Sequence, residues 1–113
     1  MYLRPENLGR EFIIERKSQS INGAGRKVVD FKPTGQRLLG VLAEAKTQEI
    51  ERWNQLQHPI THTIVQQGAR SLVQVGDRLT MAGRTFYVQG LDNIGALGLF
   101  TLIYAEERSD SHG

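Results

Sequence analysis

His58 and His62 stand four residues apart, a spacing that in an extended strand sets both imidazoles on one face and could begin a metal site. Pro59 lies between them and no third ligand follows nearby, so the residues read as an exposed His58 at a helix end and a half-buried His62. Ser71, His62 and Asp77 supply the residue types of a nucleophile, a base and its orienter. No serine, however, sits in the G-x-S-x-G elbow that aims a hydroxyl into a site. Gly23-Ala24-Gly25 begins like a dinucleotide fingerprint, yet Val28 takes the third glycine's place and no strand–turn–helix pattern surrounds it. Glu106 and Glu107 are neighbours in a strand pattern, so they face opposite sides and cannot form one acid/base pair. The absence of cysteine excludes disulfides, thiol nucleophiles, Cys-ligated zinc and iron–sulfur clusters together. The expectation is a non-enzymatic chain with no catalytic residues, no metal and no cofactor.

What remains is charge. Lys17, Arg26, Lys27 and Lys32 surround the stretch Ser18 to Phe31 and could meet phosphates without reading sequence. Only Phe31 is near enough to offer a ring for base stacking. The formal net charge of +2 is too small to argue for tight autonomous nucleic-acid binding. Many copies in a ring would multiply a local basic surface.

The elements that must hold these residues are mostly strands. Arg10 to Lys17 alternates, with Phe12 and Ile14 on one face and Glu11 and Glu15 on the other. Ser18 to Asp30, rich in Ser, Asn and Gly, reads as an exposed loop or flexible hairpin tip, and Pro33-Thr34-Gly35 as a second turn. Leu38 to Ala43 is a second strand, in which Gly40 marks a bulge or a close backbone approach. One helix is expected over Gln48 to Gln57, capped by Thr47, with Ile50, Trp53 and Leu56 on one face and Pro59 ending it. Ile60 to Gln66 is the third strand, and Gly68 to Ser71 a turn. Leu79 and Met81 pair across Ala82-Gly83 with Phe86 and Val88. Gly90 to Gly95, with Asp92-Asn93, reads as a loop. The last strand, Leu97 to Ala105, is apolar on both faces: Leu97, Leu99 and Ile103 on one, Phe100, Leu102 and Tyr104 on the other. Something must cover each face, either the rest of the sheet and the helix or a neighbouring copy.

The fold class is therefore mainly β: a small antiparallel β-barrel or sandwich with one short α-helix between strands 2 and 3 and a long flexible loop between strands 1 and 2. The 113 residues suit a single domain, with an ordered core of about 8–108, a loop of about 18–35 and a flexible tail at 109–113. No run approaches the roughly 20 apolar residues of a membrane span, and Met1 to Glu6 lacks a signal peptide's apolar core, so a cytoplasmic, membrane-free protein is expected. Trp53, Phe100, Leu102 and Tyr104 are the candidate subunit interface. Lys17, Arg26, Lys27 and Lys32 form the candidate DNA-facing or inter-subunit loop.

The order of features resembles the bacteriophage head–tail joining proteins, also called head-closure, stopper or connector proteins. Leu8-Gly9-Arg10-Glu11-Phe12-Ile13-Ile14-Glu15-Arg16 is similar to that family's opening strand, and Thr61-His62-Thr63-Ile64-Val65 to its central strand. Gly76-Asp77-Arg78-Leu79 through Gly83-Arg84-Thr85-Phe86-Tyr87-Val88-Gln89-Gly90-Leu91-Asp92-Asn93 resembles its hairpin and following loop. Leu99-Phe100-Thr101-Leu102 with Ala105-Glu106-Glu107-Arg108 resembles its closing strand. The resemblance implies a structural virion protein at the head–tail interface, assembled in the host cytoplasm. Its implied partners are itself, as a hexameric or dodecameric ring, the portal or adaptor of the head, tail proteins, and packaged double-stranded DNA held non-specifically. Its implied role is to close the DNA exit channel and provide the tail attachment surface. A tail terminator or tail-completion protein is the nearby alternative, and a small β-barrel nucleic-acid-binding module the alternative from a different class.

Overall fold

Phe12 and Ile14 point one way from β1 (Arg10–Ile21) and Glu11 and Ile13 the other, and that two-residue period separates the inside of the molecule from its outside. The computed structural model describes residues 9–67, 73–94 and 100–109. The elements that follow β1 are β2 (Lys27–Glu44), α1 (Thr47–Gln55), β3 (His62–Gln67), β4 (Arg78–Met81), β5 (Arg84–Ile94) and β6 (Phe100–Arg108). All pairings are antiparallel, in the order β1-β2-β3-β6-β5-β4, and the sheet closes on itself where Ile13–Glu15 of β1 meets Arg78–Thr80 of β4. Closure leaves the body's strands paired on both sides, removing the sticky edges of an open sheet. The expected mainly β fold, with its helix between β2 and β3, is the fold observed.

The core is filled from every strand: Phe12, Ile14, Leu38, Ile64, Leu79, Phe86, Val88, Ile103 and Ala105 are buried, and Phe12 meets Phe86 edge to face at 5.9 Å. Gly40 is a close-approach residue. A Cβ there would sit 2.6 Å from Ile64 Cγ2 and 3.1 Å from the Val65 carbonyl oxygen. The β4–β5 hairpin turns at Ala82 and Gly83, both with positive φ (49° and 79°), the geometry that matches strand twist in two-residue turns. Leu79 pairs with Phe86 as expected, whereas Met81 pairs with Arg84 rather than with Val88.

Three expectations change. The stretch expected as a loop over 18–35 is mostly a ladder, running from Lys17↔Phe31 to Ile21↔Lys27. Only Asn22–Arg26 turns, with the Asn22 side chain accepting from the Ala24 and Arg26 N–H groups. Ile21, Val28, Val29 and Phe31 supply the strand tendency that outweighs the serines and glycines. Second, Asp92 and Asn93 do not form a loop, because β5 continues through them, paired with Leu102 and Thr101 of β6. Third, the helix is capped at Lys46, whose N–H donates to Glu49 Oε1 (3.0 Å), not at Thr47. It ends at Gln55, and Gln57 takes the left-handed conformation (φ 61°) two residues before Pro59.

The outer face of β6 is covered from within the chain at Tyr104. Trp53 of α1 lies on Tyr104 at 4.8 Å between ring centroids and on the bare backbone of Gly90. Leu97, Leu99, the 68–71 turn, Ser71 and His112 lie outside the described residues.

Candidate functional site: a basic arm on a closed sheet

Among the described residues the β1–β2 pair leaves the sheet beyond Glu15 as a two-stranded arm, since β4 follows β1 only to Glu15 and β3 joins β2 only from Gly40. The molecule measures 54 × 32 × 27 Å along its principal axes, and its radius of gyration of 15.1 Å exceeds the ~13 Å of a compact chain this long, as a projecting arm requires. Residues 16–32 contain five of the fourteen Lys and Arg residues but one of the twelve acids, so the arm is basic and the remainder of the chain acidic. Lys17, Arg26, Lys27 and Lys32 are all exposed on it. The pairing register puts Lys17 and Lys27 on one face with Gln19, Ile21, Val29 and Phe31, Lys32 with Arg16 on the other, and Arg26 in the turn. Two apolar side chains lie bare on the first face, Ile21 (72% exposed) and Val29 (55%).

The foot of the arm is held by charge. Arg16 grips Asp77 with two hydrogen bonds, Nε to Oδ1 (3.1 Å) and Nη2 to Oδ2 (3.0 Å), and the Asp77 side chain is only 3% exposed. Asp77 Oδ2 also accepts from the Gln74 N–H at 2.8 Å. These carboxylate contacts raise the Arg16 pKa, chiefly through the hydrogen bond. On the outer wall Arg78 bonds Glu15 Oε1 (2.6 Å) and lies over the Phe31 ring at 4.4 Å. Phe31 meets Tyr87 edge to face at 5.8 Å, and Arg108, paired with Glu106, covers Tyr87 at 4.6 Å. The Arg–aromatic stack welds the arm to β4, β5 and β6.

The residues whose types suggested chemistry are engaged elsewhere. His58 is exposed beside Trp53, whereas His62 lies against Phe86 at 5.5 Å, so the two imidazoles do not converge. Thr61 Oγ1 is 2.8 Å from His62 Nδ1 and accepts the Glu107 N–H, and Asp77 is committed to Arg16. Glu106 and Glu107 do face opposite ways: Glu106 pairs with Arg108, and Glu107 with Arg84 through bonds of 2.7 and 2.9 Å. The Arg84 hydrogen bond holds the Glu107 carboxyl below the ordinary carboxylate range, and the same bond raises the Arg84 pKa. Arg84 also covers one face of Phe86 at 5.1 Å. Among the described residues no three His, Cys, Asp or Glu side chains gather as a metal site, and no helix is long and apolar enough to cross a membrane.

Of the four candidate interface residues, the structure spends two inside the chain. Trp53 and Tyr104 cover each other, and burial raises the Tyr104 phenol pKa. Phe100 (37% exposed) and Leu102 remain on the outside of β6. Sequence reasoning missed the bare Ile21–Val29 face and the Arg16–Asp77 anchor. The first had a signal in the period-two runs Lys17-Gln19-Ile21 and Lys27-Val29-Phe31. The second had none, because its partners lie far apart in the chain.

No protein-family model matches the chain, and no curated protein matches its sequence. Solved structures share the fold, among them these two. The solution structure of protein SF1141 from Shigella flexneri 2a matches with a TM-score of 0.68 at 16% identity, over 89% of this chain and 93% of that one. A chain from the virion of a native gene transfer agent particle matches with a TM-score of 0.57 at 16% identity, over 88% of this chain and 94% of that one. At that identity the shared property is the fold.

Proposed function

We propose that the chain is a structural protein of a phage-like virion: a subunit of the head–tail connector that assembles as a ring below the portal, closes the DNA exit channel and offers the tail its attachment surface. In this reading it is not an enzyme. The observation that carries the proposal is the arm, a basic ribbon with bare Ile21 and Val29 standing out from an otherwise closed sheet. A two-stranded ribbon is marginal alone in water, so its apolar face calls for a partner surface. Contacts made on assembly offset the entropy of ordering it. The fold shared with a chain of a gene transfer agent virion supports the same reading. Its partners are then other copies of itself, the portal above, tail proteins below, and packaged double-stranded DNA, which exposed arm cations touch through phosphates without reading bases.

A stand-alone nucleic-acid-binding module is less well supported. Phe31, the ring nearest the basic residues, already carries the Arg78 guanidinium and packs on Tyr87, so it is not open to a stacked base. Negative-stain imaging and mass measurement of the purified chain mixed with portal rings tests the proposal. Stoichiometric docking at the ring outlet is expected. Capping of tail tubes without portal binding would make it a tail terminator, and strong salt-sensitive DNA binding by monomers would overturn the structural reading.

A further inference from the structure

At the foot of the arm β2 carries extra residues opposite Ile14. The register steps from Ile13↔Arg37 to Glu15↔Pro33, and Gly35 takes positive φ (85°) in the bulge. The bulge opens a groove of about 250 Å³ lined by Ile13, Pro33, Gly35, Gln36 and Arg37. Ile13 (40% exposed) and Leu39 (57%) form a bare apolar patch beside it, on the outward face of the sheet. Glu11, the cross-strand partner of Leu39, borders the patch and accepts a hydrogen bond from Arg37.

We infer, resting on the ring-forming reading above, that this groove receives the arm tip of the next copy, with Ile21 and Val29 against Ile13 and Leu39. The occupant is a second copy for two reasons. The chain's own tip lies away from the groove: from the Arg16–Lys32 pair to the Ile21–Lys27 pair the ribbon runs for five residues without a break in register, about 17 Å at strand rise. Charge is complementary between copies, because the arm is basic and the body that bears the groove is acidic by composition. Lys27 shares the face of Ile21 and Val29, so docking brings it to Glu11, while Lys32 on the opposite face and Arg26 in the turn stay available to phosphates. A knob and a groove at different places on one chain make a directional contact, which repeats from copy to copy and closes as a ring.

The chain has no cysteine, so introduced thiols report without background. Ile21→Cys and Leu39→Cys are made singly and together in the full chain, assembled on portal rings and oxidised. The double variant is expected to yield a ladder of covalent multimers reaching the ring's full count. Mixed single variants should yield dimers only, and each single variant alone none, since a disulfide needs Cα atoms within about 7 Å. Leu39→Lys, which sets a cation against the arm, is expected to lower ring yield about tenfold or more with an unchanged melting temperature. Rings that form normally without the link between positions 21 and 39 overturn this inference and leave the ring reading standing. A ladder that stops at dimers, or covalent dimers from the Ile21→Cys variant alone, overturns the directional contact. A chain that remains monomeric on portal rings overturns both.

Discussion

Gly90→Ala offers a direct test of how the helix is attached. Gly90 has no positive φ, so alanine is conformationally acceptable there, and any penalty must come from what its Cβ meets. That Cβ would lie 2.3 Å from Trp53 Cη2, 2.9 Å from Cζ3 and 3.0 Å from Cζ2. The indole is rigid and has to retreat by about an ångström to restore ordinary contact, leaving its place on Tyr104. No hydrogen bond from the buried indole Nε1 holds it among the described residues, so packing alone keeps it seated. Overpacking of this kind costs about 1–3 kcal/mol. Trp53→Ala, which uncovers Tyr104, should cost about 2–3 kcal/mol, below the range for a fully buried ring because Trp53 is half-buried. The decisive quantity is the double variant. Once the indole is gone, alanine at 90 meets nothing from it and should be neutral, so the two substitutions couple by about 1–3 kcal/mol. Urea unfolding followed by circular dichroism gives the four stabilities. Trp53 is the sole tryptophan, so red-shifted emission in folded Gly90→Ala would report the displaced ring directly. Additive penalties, or an unshifted emission, would refute the account of α1 as a helix held by one side chain on a bare strand.

Arg16→Ala leaves the Asp77 carboxylate almost wholly buried without its guanidinium. The expected loss is about 2–4 kcal/mol by denaturant unfolding, short of the full cost of breaking a buried pair because the Arg16 side chain is itself partly in water. Amide exchange should quicken in the arm more than in the core, and Arg16→Lys should recover only part of the loss. Gly40→Ala drives a Cβ into Ile64 and the Val65 carbonyl, and should cost about 1–3 kcal/mol by the same assay. The Arg84 pair gives the stability curve an acid limb. The folded Glu107 pKa lies below its unfolded value, so the contribution is present above the ordinary carboxylate range and is lost as pH falls through the depressed folded value. Glu107→Gln should flatten that limb when melting temperature is followed against pH, and a parallel curve would refute the assignment.

Local chemistry foretold the parts of the fold that local chemistry decides. Ala82-Gly83 between alternating apolar residues specified the β4–β5 hairpin, and Ile50 and Trp53 at helical spacing followed by Pro59 specified α1 to within two residues. Where pairing with a distant strand decides, the reading failed. Asp92-Asn93 looks like a turn in isolation, but β6 offers it Leu102 and Thr101 and the ladder continues. Ser18, Ser20, Asn22, Gly23 and Gly25 suggested a loop, yet only Asn22–Arg26 uses that chemistry, and the flanking residues extend because each strand supplies the other's hydrogen bonds. Trp53 shows the same limit at the site. Its type said that it must be covered or must cover something, and only the bare backbone at Gly90 settled which. The four candidate cations are exposed, but which of them share a face depends on a register fixed by the bulge at Gly35.

The two strands of the arm are also strands of the body, β1 running through unbroken and β2 passing through the bulge at Gly35. A pull on the tip therefore runs lengthwise into β1 and β2 and tries to slide them past β4 and β3. Sliding strains all the cross-strand bonds at once, whereas peeling breaks them one after another. A lever that feeds traction into the sheet in this way can bear sustained axial load at its tip without the body opening.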